Sequence, residues 1–212
     1  MTGFSASTTS TTTNTRHGGV SAAAGDVIID AGAFIGDTAV LFSHKAGGDC
    51  SVHSFELLDE NISLIQYNLK LNSSFAKSVV VNKTALSDVH GDDLWIETGA
   101  VQGATKALSG EVEGREKIPT TTIDQYVKDK KLRKVDLIKM DIEGGEVPAL
   151  KGSKKTIQKH KPKLAICLYH IWTDPVLIPE LIQSFGVDYD FAFKWVQLTK
   201  GWEAVLLASP RV

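Results

Sequence analysis

The chain has 212 residues, of which 42% are hydrophobic and 23% are charged, and its formal net charge is −2. This length suits one globular domain with its own core and is short for two. The near-balanced charge gives no overall basic field, so a nucleic-acid partner is not expected. No apolar run approaches the length of a membrane span, so none is predicted.

The first 24 residues are rich in Ser, Thr, Ala and Gly and contain few large apolar side chains. Such a segment buries too little surface to offset the entropy of ordering it. We therefore predict a disordered leader over residues 1–24, a folded domain over 25–212, and order from about Asp26. The leader lacks a signal-peptide pattern, and Cys50 and Cys167 lie in or beside strand-like apolar runs, which is typical of a cytoplasmic protein with unpaired cysteines.

After the leader, β-rich runs alternate with helical patterns along the chain. The predicted strands are Val27–Ala31, Ser51–Glu56, Val79–Asn82, Val135–Met140, Leu164–Tyr169, Asp190–Val196 and Glu203–Ala208. The predicted helices are Asp37–Lys45, Asp59–Leu71, Thr122–Lys130, Gly145–Lys151 and Pro175–Phe185. The polar, Gly-rich stretch from Ser87 to Gly114 predicts a hairpin followed by a flexible loop. The alternation predicts a doubly wound α/β domain, with helices on both faces of a parallel sheet and an antiparallel hairpin at the end.

A glycine-bearing turn follows the first predicted strand, in the run Asp30-Ala-Gly-Ala-Phe-Ile-Gly-Asp-Thr38. A strand, a glycine turn and a helix are the parts of a nucleotide site. The turn lacks the dinucleotide fingerprint, because Ala31 and Ala33 stand where its first two glycines would be, and it lacks the Gly-Lys-Ser/Thr of a P-loop. Asp30 and Asp37 flank the turn and would repel a diphosphate, which favours a phosphate-free cationic ligand such as S-adenosylmethionine.

Two further segments complete the predicted cofactor site. Glu56 ends the second strand about 20 residues beyond the turn, where an acid can accept hydrogen bonds from both ribose hydroxyls. Ala85 and Leu86 follow the third strand and could line the adenine. The predicted cofactor-binding residues are Asp30, Gly32, Ala33, Phe34, Gly36, Asp37, Thr38, Glu56, Leu57, Ala85, Leu86 and Asp141.

Two acids and a histidine follow the fourth and fifth predicted strands. Because ligands bind at the carboxyl ends of parallel strands, Asp141, Glu143 and His170 should lie near the glycine turn. We predict that Asp141 and His170 are catalytic, with His170 as the general base, and that Glu143 and Glu203 bind the acceptor. The alternative is structural: Asp141 could cap the next helix, Glu143 could lie in its first turn, and His170 could bond to backbone.

Charge raises two further questions at this edge of the sheet. Lys139 lies within an apolar strand, which indicates a buried ion pair with a nearby acid. Asp141, Glu143 and His170 could together bind magnesium. They lack a tight local spacing, so we predict no metal.

Several of these segments resemble the FkbM-type methyltransferases. The most specific is Lys139-Met-Asp-Ile-Glu-Gly-Gly-Glu146, inside a similar block that runs from Val135 to Gly152. The others are Asp30–Thr38, Phe55-Glu56, Thr84–Asp88, Ile118–Asp124 and Trp202–Ala208, so the resemblance covers roughly residues 26–208. It implies a Rossmann-like class I methyltransferase fold with a seven-stranded sheet, S-adenosylmethionine as cofactor, and O-methylation of a small molecule or sugar.

Other functions stay open at this point. N-methylation would use the same cofactor. A non-catalytic cofactor-binding module would need Asp30, Gly32 and Glu56 but not His170. A dinucleotide-dependent oxidoreductase is disfavoured by the missing glycines and by Asp37. The sequence names neither the acceptor nor the oligomeric state.

Overall fold

The computed structural model describes residues 20–98, 105–108, 116–198 and 201–211. The strands within these ranges are β1 (Asp26–Ala31), β2 (Cys50–Phe55), β3 (Val79–Asn82), β4 (Ala85–Leu86), β5 (Asp93–Thr98), β6 (Thr105–Leu108), β7 (Lys117–Thr121), β8 (Leu137–Met140), β9 (Lys163–Cys167), β10 (Tyr189–Leu198) and β11 (Gly201–Pro210). The helices are α1 (Asp37–Lys45), α2 (Asp59–Leu71), α3 (Ile123–Asp129), α4 (Glu146–Lys151), α5 (Lys154–His160) and α6 (Asp174–Ser184). None of these helices combines the length and the apolar character that a membrane span needs.

Seven strands form one sheet in the order β10-β11-β9-β8-β1-β2-β3. The run from β9 to β3 is parallel, whereas β11 pairs antiparallel with both β9 and β10. Central strands of such a sheet are buried on both faces, which explains why three of the four residues of β8 are apolar. The remaining residue, Lys139, is also buried. The predicted parallel sheet with an antiparallel terminal hairpin is confirmed.

Helices cover both faces of this sheet, as predicted. On one face, α3 to α6 pack against Ile29 and Ile138 and contribute buried side chains such as Leu150 and Ile178. On the other face, Phe42 of α1 packs against the adjacent β-sheet residues. The parallel strands β3, β2, β1, β8 and β9 therefore all end at one edge of the sheet, where the antiparallel β11 begins.

The packed chain begins earlier than the composition predicts. Val20 and Ala22, both inside the predicted leader, are buried in the core on the α1 side of the sheet. The Lys163 ammonium also donates to the Ser21 carbonyl at 3.3 Å. Two apolar side chains are enough to extend the core, although the average composition of the segment hides them. Residues 1–19 of the predicted leader lie outside the described residues.

Two features of the middle and later chain were not predicted. The strands β4, β7, β5 and β6 form a second, four-stranded sheet in that order, of which only the β5–β6 hairpin was expected. The predicted flexible loop falls largely on residues 99–104 and 109–115, which lie outside the described residues. Helix α5 has one large buried apolar side chain, Ile157, so its sequence carries almost no helical periodicity.

Candidate functional site

The glycine turn between β1 and α1 is packed tightly against the end of β8. The Gly32 and Ala33 amides donate to the Phe55 carbonyl, at 3.0 and 2.9 Å. Gly32 has φ 77°, and a Cβ built on it would lie 1.8 Å from the backbone oxygen of Asp141. Only glycine fits here, because both the backbone conformation and the space exclude a side chain. The turn and the first residue after β8 therefore form one unit.

Phe34, at the tip of the turn, combines an unusual backbone conformation with exposure. Its φ is 47°, a left-handed conformation that is uncommon for a bulky residue, and 43% of the side chain is exposed. The Phe34 amide donates to Oε2 of Glu56 at 2.9 Å, which holds the strained residue in place. Strained backbone of this kind is concentrated at ligand sites.

Glu56 lies just after β2 and fastens the turn to this strand. Its Oε1 accepts hydrogen bonds from the Leu57 and Leu58 amides, at 2.8 and 3.0 Å, while Oε2 accepts the bond from Phe34. A carboxylate has about four acceptor positions, so three donors leave one for a ligand hydroxyl. Leu57 and Leu58 pack against the apolar cluster that contains Ala85, so the segment after the third strand lies in the same region.

Asp30 and Lys139 form the buried ion pair predicted for this lysine, with Nζ 3.4 Å from Oδ1. The same ammonium donates to the carbonyls of Gly32 at 2.5 Å and Ala31 at 3.3 Å. Burial alone would lower the pKa of Lys139, but the charges of Asp30 and Asp141 raise it. Burial raises the pKa of Asp30. Because Lys139 balances Asp30, the predicted repulsion of a diphosphate rests on the exposed Asp37.

The turn between β8 and α4, residues 141–145, carries Asp141 and Glu143 and is called the acid turn below. The Asp141 amide donates to the Ala31 carbonyl at 3.0 Å, and the Tyr169 hydroxyl donates to Asp141 Oδ1 at 2.8 Å. Glu143 has φ 55° and is, after Phe34, the second non-glycine residue of this site in the left-handed region. About a third of each acidic side chain is exposed, 34% for Asp141 and 38% for Glu143. Both carboxylates are therefore accessible beside the glycine turn.

Glu146, which the sequence reasoning did not single out, organises the acid turn from below. Its carboxylate is fully buried. Oε1 accepts hydrogen bonds from the Ile142 amide at 2.8 Å and from His170 Nδ1 at 2.9 Å, and Oε2 accepts one from the Gly144 amide at 2.9 Å. The pattern Asp141-x-Glu143-x-x-Glu146 contains this acid, but nothing in it identifies a partner on another element.

His170 lies behind the two carboxylates of the acid turn. Its Nε2 is 3.4 Å from Asp141 Oδ1 and 3.7 Å from Glu143 Oε2. The side chain is 6% exposed, and Nε2 is buried without a hydrogen-bond partner. Burial alone would lower the pKa of His170, but its bond to Glu146 and the charges of Glu146, Asp141 and Glu143 raise it. The structure thus joins three of the predicted site residues, with the imidazole turned inward.

Further acids surround this group. Glu203, at the start of β11, is half-buried; burial and the charge of Asp141 raise its pKa. Asp174, in the first turn of α6, is buried; burial and the charge of Glu146 raise its pKa. In the part of the chain that the structure describes, no group of three His, Cys, Asp or Glu side chains could hold a metal ion. The predicted absence of a metal stays a prediction.

Comparison with known proteins agrees with this arrangement. The sequence-family model of the methyltransferase FkbM domain matches residues 30–193 of the chain. The methyltransferase FkbM from Methylobacillus flagellatus is 25% identical, with a TM-score of 0.66, over 86% of this chain and 43% of its own. The chain thus spans less than half the length of that relative. No curated protein matches the chain in sequence.

Two more distant structures share the fold. The precorrin-6y C5,15-methyltransferase from Geobacter metallireducens is 12% identical, with a TM-score of 0.58, over 91% of this chain and 84% of its own. The human methyltransferase 10 domain containing protein is 14% identical, with a TM-score of 0.51, over 87% of this chain and 71% of its own. The predicted Rossmann-like class I fold is confirmed. With a family model that covers most of the domain, the chain belongs to the FkbM methyltransferase family.

Proposed function

We propose that the protein binds S-adenosylmethionine at the glycine turn and transfers its methyl group to a hydroxyl of a small molecule or sugar. The observation that carries this proposal is the contact between Gly32 and Asp141, where a Cβ on Gly32 would lie 1.8 Å from the backbone oxygen of Asp141. The residue beside the glycine turn therefore carries a partly exposed carboxylate. A group that accepts a proton at this position is what transfer to a hydroxyl requires.

The residues of the turn suit this cofactor. Glu56 keeps one acceptor position, on Oε2, for a ribose hydroxyl. Leu57, Ala85 and Leu86 offer an apolar lining for the adenine. When bound, S-adenosylmethionine supplies a methyl group on a positively charged sulfur. The exposed carboxylates of Asp37 and Asp141 favour such a cation.

Asp141 is the residue we assign to the acceptor's proton. Methyl transfer to a hydroxyl oxygen releases its proton, and Asp141 is accessible and oriented by the Tyr169 hydroxyl. We expected His170 to be the general base, but its buried Nε2 supports a role behind Asp141 and Glu143. Glu143 and Glu203 would accept hydrogen bonds from the other hydroxyls of the acceptor.

Transfer to an amine nitrogen is a second candidate. Asp141, Glu143 and Glu203 are all at least partly accessible and would attract an ammonium group. The products of the two reactions can be distinguished by nuclear magnetic resonance, because the carbon-13 chemical shift of a methyl group on oxygen differs from that of a methyl group on nitrogen. A panel of hydroxyl and amine acceptors, incubated with methyl-labelled cofactor, would separate them.

The test of cofactor binding is calorimetric titration with S-adenosylmethionine and S-adenosylhomocysteine. We expect saturable binding by the wild type and a loss of about tenfold or more in Glu56→Ala, because a bond to a charged group is removed. Glu60→Ala is the matched control, since Glu60 is exposed in the first turn of α2 and should bind normally. No binding by the wild type would overturn the proposed function.

A further inference from the structure

We propose that Glu146 is a positioning residue for this reaction, which holds the doubly protonated His170 ring against the carboxylates of Asp141 and Glu143. The inference rests on the proposed function for its purpose. Its structural content concerns four residues of this chain alone and can be tested without an acceptor.

The carboxylate of Glu146 joins two loops. Glu146 accepts the Ile142 and Gly144 amides, which fixes the backbone of the acid turn on either side of Glu143. The same carboxylate accepts the bond from His170, which follows β9. A single side chain therefore sets the distance between the imidazole and the carboxylates that it faces.

The hydrogen bonds of the His170 ring indicate which of its nitrogens carry protons. Because Glu146 Oε1 is an acceptor of two hydrogen bonds, the hydrogen in the contact with His170 belongs to Nδ1. Nε2 then faces two carboxylate oxygens, at 3.4 and 3.7 Å. A lone pair on Nε2 would be repelled by both, whereas a proton there is attracted by both. The geometry therefore favours protons on both nitrogens.

The acidic side chains of every element around the His170 ring favour its protonated form. The acid turn contributes Asp141 and Glu143, α4 contributes Glu146, α6 contributes the buried Asp174, and β11 contributes Glu203. On β8, the Lys139 ammonium is paired with Asp30 and bonded to two carbonyls of the glycine turn. Tyr169, which precedes the ring, donates to Asp141.

The charged ring also orients the two acids that are proposed to contact the substrate. An imidazolium that faces two carboxylates attracts both of them and so restrains both side chains beside the glycine turn. Asp141 is then positioned to accept the proton of the acceptor, and Glu143 to accept a hydrogen bond from it. Without the bond to Glu146 the imidazole would lose the contact that fixes its position.

The test is a nuclear magnetic resonance titration of the His170 ring in the full chain. In the wild type, we expect both ring nitrogens to be protonated at neutral pH and to lose a proton only above the ordinary range of histidine, which is centred near pH 6.5. Assignment follows from the signal that is missing in His170→Asn. A neutral ring at neutral pH would overturn the proposal, and this measurement needs no Glu146 variant.

The variant that carries the argument is Glu146→Gln, which keeps the volume and can still accept hydrogen bonds. We expect the midpoint of His170 to fall by about one pH unit or more, since a charge-assisted bond is removed. Asp174→Asn is the matched control, because Asp174 is an equally buried acid that does not bond to the ring, and it should shift the midpoint less. An unchanged midpoint in a folded Glu146→Gln would also overturn the proposal.

Cofactor titration of Glu146→Gln separates the two claims. Glu56 and the glycine turn are unchanged in this variant, so we expect its affinity for S-adenosylmethionine to stay close to that of the wild type. If the wild type itself fails to bind the cofactor, the proposed function fails, while the ring titration still decides the role of Glu146. With an acceptor in hand, Glu146→Gln should lower kcat and leave KM for the cofactor unchanged.

Discussion

The ammonium of Lys139 lies 3.4 Å from Asp30 Oδ1 inside the sheet and bonds to two carbonyls of the glycine turn. Replacing Lys139 with Met leaves a buried carboxylate without its counter-ion, so we expect a loss of about 3–5 kcal/mol in the free energy of unfolding. The double variant Asp30→Asn with Lys139→Met should recover part of that loss. Urea unfolding measures both, and a double variant as unstable as the single one would contradict the pairing.

Gly32→Ala should abolish cofactor binding and destabilise the fold, because its Cβ would collide with Asp141 as well as strain the backbone. Gly25→Ala is a matched control, since Gly25 has a similar φ of 81° but nothing within 4 Å of an added Cβ. We expect the control to cost about 1–2 kcal/mol from backbone strain alone and to bind the cofactor normally. Equal losses in the two variants, by urea unfolding and calorimetry, would show that the contact with Asp141 is unimportant.

The raised pKa of His170 makes its contribution to stability depend on pH. The folded state holds the proton more tightly than the unfolded state, where the pKa is about 6.5. The charged ring therefore stabilises the fold fully below about pH 6.5, and this contribution is lost as pH rises through the raised pKa. We expect the difference in unfolding free energy between wild type and His170→Gln to be larger at about pH 6 than at about pH 9. The opposite order would contradict the assigned charge.

Two truncations test where the domain begins. Removing residues 1–19 should change the free energy of unfolding by less than about 0.5 kcal/mol, because the segment is composed mainly of small polar residues. Removing residues 1–24 also deletes the buried Val20 and Ala22, which should cost about 2 kcal/mol or more from lost burial alone. Thermal unfolding of the two truncated chains measures the difference. Equal stability of the two truncated chains would show that the folded domain begins after residue 24.

The sheet was predictable from the sequence because its central strands are buried on both faces. The runs Val27–Ala31 and Val135–Met140 are mostly apolar, and each is followed by a turn or helix signal. Local patterns of this kind do not extend to the second sheet. There the two-residue strand Ala85–Leu86 pairs with Thr120 and Thr121, far along the chain, so no local pattern shows it.

The proposed cofactor half of the site was equally predictable, since Gly32 and Glu56 occupy fixed places after consecutive strands. The other half depends on contacts between elements. His170 and Glu146 are 24 residues apart, and only the packing of β9 beside β8 brings them together. The sequence alone therefore places His170 at the correct edge of the sheet but leaves open which way its ring faces.

The order of the strands also affects how the protein is made. β11 lies between β9 and β10, so the last of the seven described strands of the sheet to be synthesised is an interior one. Until residues 201–210 leave the ribosome, β9 has a bare edge and β10 has no neighbour. A nascent chain would therefore expose unpaired backbone N–H and C=O groups at a strand edge, and strands of other chains can pair with that edge. A premature stop codon before position 201 should consequently yield an aggregate rather than a shortened folded protein.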